Sequence, residues 1–106
     1  MSVGKYCQVA RLQDLPKGKT LCVEISGREV LLCHTADGVF ALDNMCSHAE
    51  ARLCEGKLKG QNVICPLHGA AFDVRDGSAV KRPAVRPITS HAVRMEEDDI
   101  YVALAD

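Results

Sequence analysis

A chain of 106 residues has room for a single compact domain with one apolar core. Its formal net charge of −1 offers no basic surface for a phosphate backbone, and two tyrosines and two phenylalanines offer few rings for base stacking, so nucleic-acid binding is not expected. No apolar run reaches the roughly 18 residues of a membrane-spanning helix, and the N-terminus lacks the apolar stretch of a secretory signal, so we expect a cytoplasmic protein with no membrane partner.

Short apolar segments rich in β-branched residues recur along the chain and predict strands. Turn signals such as Ser26-Gly27 and Asp76-Gly77 separate these segments. One helical turn is predicted at 10–15, ended by Pro16. The pattern favours an all-β domain, built as an antiparallel sandwich or barrel. The predicted strands are 21–25, 30–33, 39–42, 63–65, 71–74, 92–95 and 100–104.

Two predicted loops each combine a cysteine with a histidine. Cys46-Ser47-His48 follows one strand and Cys65-Pro66-Leu67-His68 follows another, with 49–64 between them. The intervening segment can fold as a hairpin and bring the two loops together. Six cysteines without a secreted context favour reduced thiols over a disulfide framework, so these two cysteines are candidate metal ligands.

Two kinds of metal centre accept two thiolates and two imidazoles. A structural zinc site usually gathers its ligands as Cys-Cys and His-His pairs, and a zinc-stabilised interaction module stays open as an alternative. Here thiolate and imidazole alternate in both loops. That order suits a two-iron, two-sulfide cluster, in which one iron takes the thiolates and the other the imidazoles.

The loop sequences resemble those of Rieske proteins. The spacing Cys-x-His, sixteen residues, Cys-x-x-His is highly specific, and segments 48–56 and 65–73 are similar to the two cluster loops of that family. Asp76-Gly77 and 81–84, with Pro83, resemble its third loop near the cluster. The similarity covers nearly the whole chain.

The resemblance implies one [2Fe-2S] Rieske cluster, with Cys46 and Cys65 on the buried iron and His48 and His68 on the outer one. It also implies an all-β fold, a Rieske-like antiparallel β-sandwich that forms a single domain over 1–106. A small cluster-binding subdomain with the two ligand loops is expected at about 43–73, inserted in the basal sandwich.

A departure from the respiratory members indicates the subclass. Those members carry an additional cysteine in each loop, joined as a disulfide, where this chain has Ala51 and Leu67. The chain is therefore similar to the low-potential Rieske ferredoxins, and we expect a potential near the lower end of the Rieske range, about −150 mV.

Such ferredoxins are electron-transfer components of aromatic-ring hydroxylating dioxygenase systems and not enzymes themselves. The implied partners are a ferredoxin reductase and a terminal oxygenase, met transiently by a monomer. The sequence offers no second set of histidine and carboxylate ligands for the mononuclear iron of an oxygenase. The alternative is a Rieske-like small subunit of a larger reductase such as nitrite reductase, against which retention of all four ligands argues.

The remaining cysteines and histidines are interpreted as structural. Cys7, Cys22 and Cys33 lie in strand-like surroundings, and Cys54 has no histidine at loop spacing. His34 and His91 flank predicted strands and are expected to pack or face solvent. The acidic run 96–99 is expected to form a hairpin turn. A weaker hypothesis assigns contacts with a redox partner to Glu50, Arg52, Glu55 and Lys57.

Overall fold

A computed structural model of the chain describes residues 5–47, 51–67, 69–82 and 86–105. Within these ranges the backbone forms ten β-strands and two short 3₁₀ turns, Leu12–Asp14 and Leu53–Glu55. The strands are β1 (Cys7–Arg11), β2 (Thr20–Ile25), β3 (Arg28–Thr35), β4 (Gly38–Asp43), β5 (Lys57–Lys59), β6 (Asn62–Ile64), β7 (Ala71–Asp73), β8 (Ala79–Lys81), β9 (Ser90–Glu96) and β10 (Asp99–Ala103).

The strands form two antiparallel sheets. The larger sheet has six strands in the order β1-β10-β9-β4-β3-β2, and the smaller has four in the order β5-β6-β7-β8. The larger sheet curls until its outer strands β1 and β2 touch, which gives it a barrel-like shape. The predicted all-β class is therefore confirmed.

Two-residue turns fix the register of the hairpins. Ser26 and Gly27 both have positive φ, 51° and 82°, between the paired residues Ile25 and Arg28. This geometry matches the right-handed twist of the two strands and requires a residue such as glycine that tolerates positive φ. The acidic run behaves as predicted, because Glu97 and Asp98 form the turn between β9 and β10.

Strand alternation divides the apolar residues of β3 between two core layers. Val30 and Leu32 face the inside of the curled sheet, where Ile100 of β10 also packs. Leu31 and Cys33 face the second layer. This second layer lies between the two sheets and is completed by Leu42, Leu53, Val63, Phe72, Val74 and the two loop cysteines Cys46 and Cys65.

The structure corrects several predicted boundaries. The helical turn expected at 10–15 is a 3₁₀ turn only from Leu12, because Ala10 and Arg11 pair with β10. Three strands, β1, β5 and β8, were not predicted. The limits 43–73 for a cluster-binding subdomain stay a prediction. Among the residues described, no helix is long and apolar enough to cross a membrane.

Candidate metal centre

The two cysteine loops close in the same way. The backbone N–H of Cys46 donates to the carbonyl of Ala51 at 2.9 Å, and that of Cys65 donates to the carbonyl of Ala70 at 2.7 Å. Each hydrogen bond joins residues five positions apart, so four residues of sequence lie between the bonded pair in both cases. The predicted histidine ligands fall within these two intervals of the sequence, with one residue between Cys46 and His48 and two residues between Cys65 and His68.

The Cys46 and Cys65 side chains meet at the edge of the core. They are 4% and 2% exposed, and their thiols lie within hydrogen-bonding reach of each other. Burial raises the pKa of the Cys65 thiol, the neighbouring Cys46 raises it further, and the backbone N–H of Leu67, directed at the sulfur, lowers it. The structure thus brings the two predicted sulfur ligands together.

Asn44 anchors the first loop to its surroundings. Its side chain is fully buried; Oδ1 accepts the backbone N–H of Cys54 at 2.9 Å, and Nδ2 donates to Glu29 at 3.0 Å. Its carbonyl accepts the N–H of Leu53 at 2.7 Å. Asn44, two residues before Cys46, is therefore tied to β3 and to the 3₁₀ turn Leu53–Glu55. The sequence carries no signal for this role, because an asparagine in a loop is usually a turn residue.

Two glycines and a serine constrain the segments around the cysteine pair. Gly69 has a φ of +72°, which only glycine adopts readily. A Cβ on Gly56 would lie 1.9 Å from the carbonyl oxygen of Ile64, the residue before Cys65. Ser47 Oγ donates to the carbonyl of Arg86 at 2.7 Å and so ties the first loop to the segment after the third.

Apolar side chains flank the cysteine pair at the surface. Met45 is 49% exposed and Leu67 is 45% exposed, whereas Ala51 is buried.

Arg52 is exposed but already paired with Glu29 at 3.0 Å and Glu55 at 3.3 Å. The hypothesis that these charged residues meet a redox partner stays a prediction.

The two predicted imidazole ligands, His48 and His68, lie outside the described residues, as do Glu50 and Pro83. Within the described ranges, no group of three or more His, Cys, Asp or Glu side chains is arranged to hold a metal ion. The ligand set therefore stays a prediction. Three features of the structure fit an iron-sulfur cluster. The two sulfur donors are buried as a pair, an amide N–H points at one of the sulfurs, and the N–H of each cysteine donates to the carbonyl five residues further on.

The other histidines pack against the backbone, as expected. His34 Nδ1 lies 2.8 Å from the carbonyl of Leu15. The buried His91 accepts the N–H of Ala105 at Nδ1, at 3.0 Å, so Nε2 carries the proton and donates to Asp43 at 2.8 Å.

The other cysteines differ in their surroundings. Burial raises the pKa of the Cys33 thiol to about 12, as suits an inert core residue. Cys7 is exposed on β1. Cys22 and Cys54 are half-buried and lie side by side against Asn44.

Comparison with known proteins gives the class to which this fold and these loops belong. Residues 5–92 match the family described as the Rieske [2Fe-2S] domain. The chain belongs to the Rieske family, and its cofactor is one [2Fe-2S] cluster.

Individual relatives match along almost their whole length. The ferredoxin component of biphenyl 2,3-dioxygenase from Rhodococcus jostii (strain RHA1) is 38% identical over 104 residues, which is 98% of this chain and 94% of that protein. The ferredoxin of carbazole 1,9a-dioxygenase from Nocardioides aromaticivorans IC177 is 35% identical with a TM-score of 0.91, covering 96% of this chain and 100% of that one. A ferredoxin solved in complex with the oxygenase of carbazole 1,9a-dioxygenase is 30% identical with a TM-score of 0.87, covering 92% of each chain.

Proposed function

We propose that this protein is a Rieske ferredoxin, a one-electron carrier that serves a ring-hydroxylating dioxygenase system and catalyses no reaction of its own. Cys46, His48, Cys65 and His68 are the proposed ligands. The observation that carries the proposal is the contact between the Cys46 and Cys65 thiols at the edge of the core. The same backbone hydrogen bond, from the cysteine N–H to the carbonyl five residues further on, closes both segments. Relatives of the same length and fold are ferredoxin components, which supports the carrier role.

The bound cluster takes up and releases one electron at a time. The chain contributes the rest of the chemistry. Cys46 and Cys65 would hold the cluster from the side of the core, and the N–H of Leu67 directs positive charge at the Cys65 sulfur. The exposed side chains of Met45 and Leu67 add apolar surface next to the two cysteine segments.

The proposed partners are a flavin-containing ferredoxin reductase and a terminal oxygenase, met in turn by a monomer in the cytoplasm. The relative solved in complex with an oxygenase supports the second partner. A transient redox encounter uses a small interface, so no permanent subunit contact is needed. The aromatic substrate belongs to the oxygenase and not to this chain.

The carrier role is tested by stopped-flow mixing of the purified protein with a dioxygenase-system reductase and oxygenase. We expect reduction by the reductase with NAD(P)H, and reoxidation on mixing with the oxygenase, both within the turnover time of the system. Copurification with one large partner in fixed stoichiometry, without exchange of electrons in solution, would instead favour a permanent subunit.

Metal analysis separates the cluster from a zinc site. We expect iron and acid-labile sulfide in equal amounts, with the visible absorption of an iron-sulfur protein. Zinc without sulfide, in a colourless sample reconstituted with iron and sulfide, would show that the four residues serve an interaction module.

A further inference from the structure

A second pair of thiols lies away from the proposed cluster ligands. Cys22 of β2 and Cys54 of the 3₁₀ turn Leu53–Glu55 are 32 residues apart in sequence, yet each sulfur lies 3.4 Å from the same atom, Nδ2 of Asn44. The two thiols also interact directly through a side-chain hydrogen bond. The two sulfurs are thus within hydrogen-bonding reach of each other, which is close enough for a disulfide to form once the side chains rotate.

The surroundings of this pair differ from those of a core cysteine. Nη2 of Arg52 lies 3.8 Å from the Cys22 sulfur, and the carboxylate of Glu29 accepts hydrogen bonds from both Arg52 and Asn44. Both cysteines are half-buried, and Asn44, which contacts both sulfurs, lines a surface groove of about 250 Å³ together with Glu29 and Met45. Cys33, in contrast, is fully buried among apolar side chains. Small polar molecules can therefore approach the pair.

Metal binding is not the use of this pair. Within the described ranges, which include Cys22, Cys54 and Glu29, no group of three or more ligating side chains is arranged for a metal ion. Two neighbouring thiols without a third ligand are suited to oxidation to a disulfide.

We propose that Cys22 and Cys54 form a reversible dithiol–disulfide site that peroxides oxidise. Burial and the neighbouring Cys54 raise the pKa of the Cys22 thiol, whereas the hydrogen bond from Arg52 lowers it, so the thiol must first lose its proton to solvent. The Cys22 thiolate, next to the Arg52 guanidinium, then attacks one oxygen of hydrogen peroxide; the O–O bond breaks, and the departing hydroxide takes a proton to become water. The Cys54 sulfur then attacks the resulting sulfenic acid, the S–S bond forms, the S–O bond breaks, and a second water leaves. The two thiols lose two electrons in total, and the peroxide gains them.

The disulfide would join the two sheets through the turn that separates the ligand loops. Cys22 belongs to the six-stranded sheet, and Cys54 lies three residues before the start of β5 of the four-stranded sheet. Asn44 keeps its role on oxidation, because one N–H of Nδ2 remains on Glu29 and the other faces sulfur atoms that still accept it. The site lies next to the anchor of the first ligand loop, but it does not depend on the proposed function.

The test treats the cluster-loaded protein with one equivalent of hydrogen peroxide, blocks remaining thiols, and digests it with trypsin without reduction. Cleavage gives the peptides 20–28 and 53–57, which contain one cysteine each, Cys22 and Cys54. Mass spectrometry is expected to find these two peptides joined, with the loss of two hydrogens, and separated again by dithiothreitol.

Matched variants control the assignment. Cys22→Ser and Cys54→Ser are each expected to abolish the joined peptide, whereas Cys7→Ser, which removes an exposed thiol on β1, leaves its yield unchanged. Recovery of Cys22 and Cys54 as singly blocked peptides, or as pairs with Cys7 or with cysteines of other molecules, would overturn the proposal. The visible spectrum, recorded in parallel, reports separately on the proposed cluster.

Discussion

At the scale of single residues, two buried cysteines provide a matched test of the sulfur ligands. Cys46 and Cys33 belong to the same apolar layer and are 4% and 0% exposed, but Cys46 meets Cys65 while Cys33 packs among apolar groups. We expect Cys46→Ala to lose cluster iron and the visible spectrum almost completely. Cys33→Ala, with a similar cavity, should retain both. Loss of the spectrum in Cys33→Ala but not in Cys46→Ala would show that Cys46 is not the ligand.

Asn44 is a second residue with a measurable role. Asn44→Ala removes a fully buried side chain and leaves the N–H of the half-buried Cys54 without its acceptor, so we expect the free energy of unfolding to fall by about 2 kcal/mol. Gln8→Ala is the control, because Gln8 makes an exposed amide–carboxylate hydrogen bond to Asp99, and it should cost less than about 0.5 kcal/mol. Urea unfolding measures both. Equal losses would show that burial of Asn44 contributes nothing.

Sequence reasoning selected the two cysteines that the structure brings together, but not the residues that support them. Cys46 and Cys65 could be selected because each shares a short loop with a histidine, and that spacing is visible in one dimension. Asn44 and the Cys22–Cys54 pair could not be, since their contacts join residues 10, 22 and 32 positions apart in the chain. Such contacts follow from the packing of the two sheets.

At the scale of elements, Gly56 and Gly60 test two different reasons for a glycine. Gly56 has no room for a side chain, whereas Gly60 has a positive φ. A Cβ on Gly56 would meet the carbonyl of Ile64, so Gly56→Ala should displace β6 and cost about 3 kcal/mol. Gly60 has a φ of +60° with open space around it, so Gly60→Ala should cost only about 1 kcal/mol. Thermal unfolding measures both costs.

The Gly56 variant should also affect the metal centre. Because Ile64 directly precedes Cys65, we expect Gly56→Ala to lower the iron content, while Gly60→Ala leaves it unchanged. Full iron content in Gly56→Ala, at undiminished stability, would mean that the close approach has no consequence for the second loop.

The strands that were predicted and those that were missed differ in composition. The seven predicted strands carry consecutive β-branched or apolar residues. Missed β5 and β8 have three residues each, lie at the edges of the small sheet and include lysines, which disfavour a strand prediction. They form because β6 and β7 offer them hydrogen-bonding partners. The composition of a short segment does not show whether a neighbouring strand will pair with it.

At the scale of the whole molecule, β1 pairs with β10 near the other end of the chain, so the barrel-like curl depends on contacts about 90 residues apart. His91 adds a polar link of the same kind. Its Nε2 donates to Asp43, which also accepts from Arg28, and its Nδ1 accepts from Ala105. The end of β4, from which the first ligand loop departs, is thereby tied to the last strand.

Removal of this link should destabilise the whole domain. His91→Ala empties the space of a fully buried side chain and leaves the N–H of Ala105 and part of the half-buried Asp43 without partners, so we expect the free energy of unfolding to fall by about 3 kcal/mol. His34→Ala removes one hydrogen bond at a half-buried site and should cost about 1 kcal/mol. Urea unfolding monitored by circular dichroism compares the two. A larger loss in His34→Ala would contradict the assigned role of His91.

The central claim is a two-iron cluster held by Cys46, Cys65, His48 and His68. It is tested most directly by the electron paramagnetic resonance spectrum of the dithionite-reduced protein, because mixed histidine and cysteine ligation gives a signal distinct from that of all-cysteine clusters. We predict the mixed-ligand signal in the wild-type protein and its absence in Cys46→Ala. An all-cysteine signal, or none from a fully reconstituted sample, would contradict the claim.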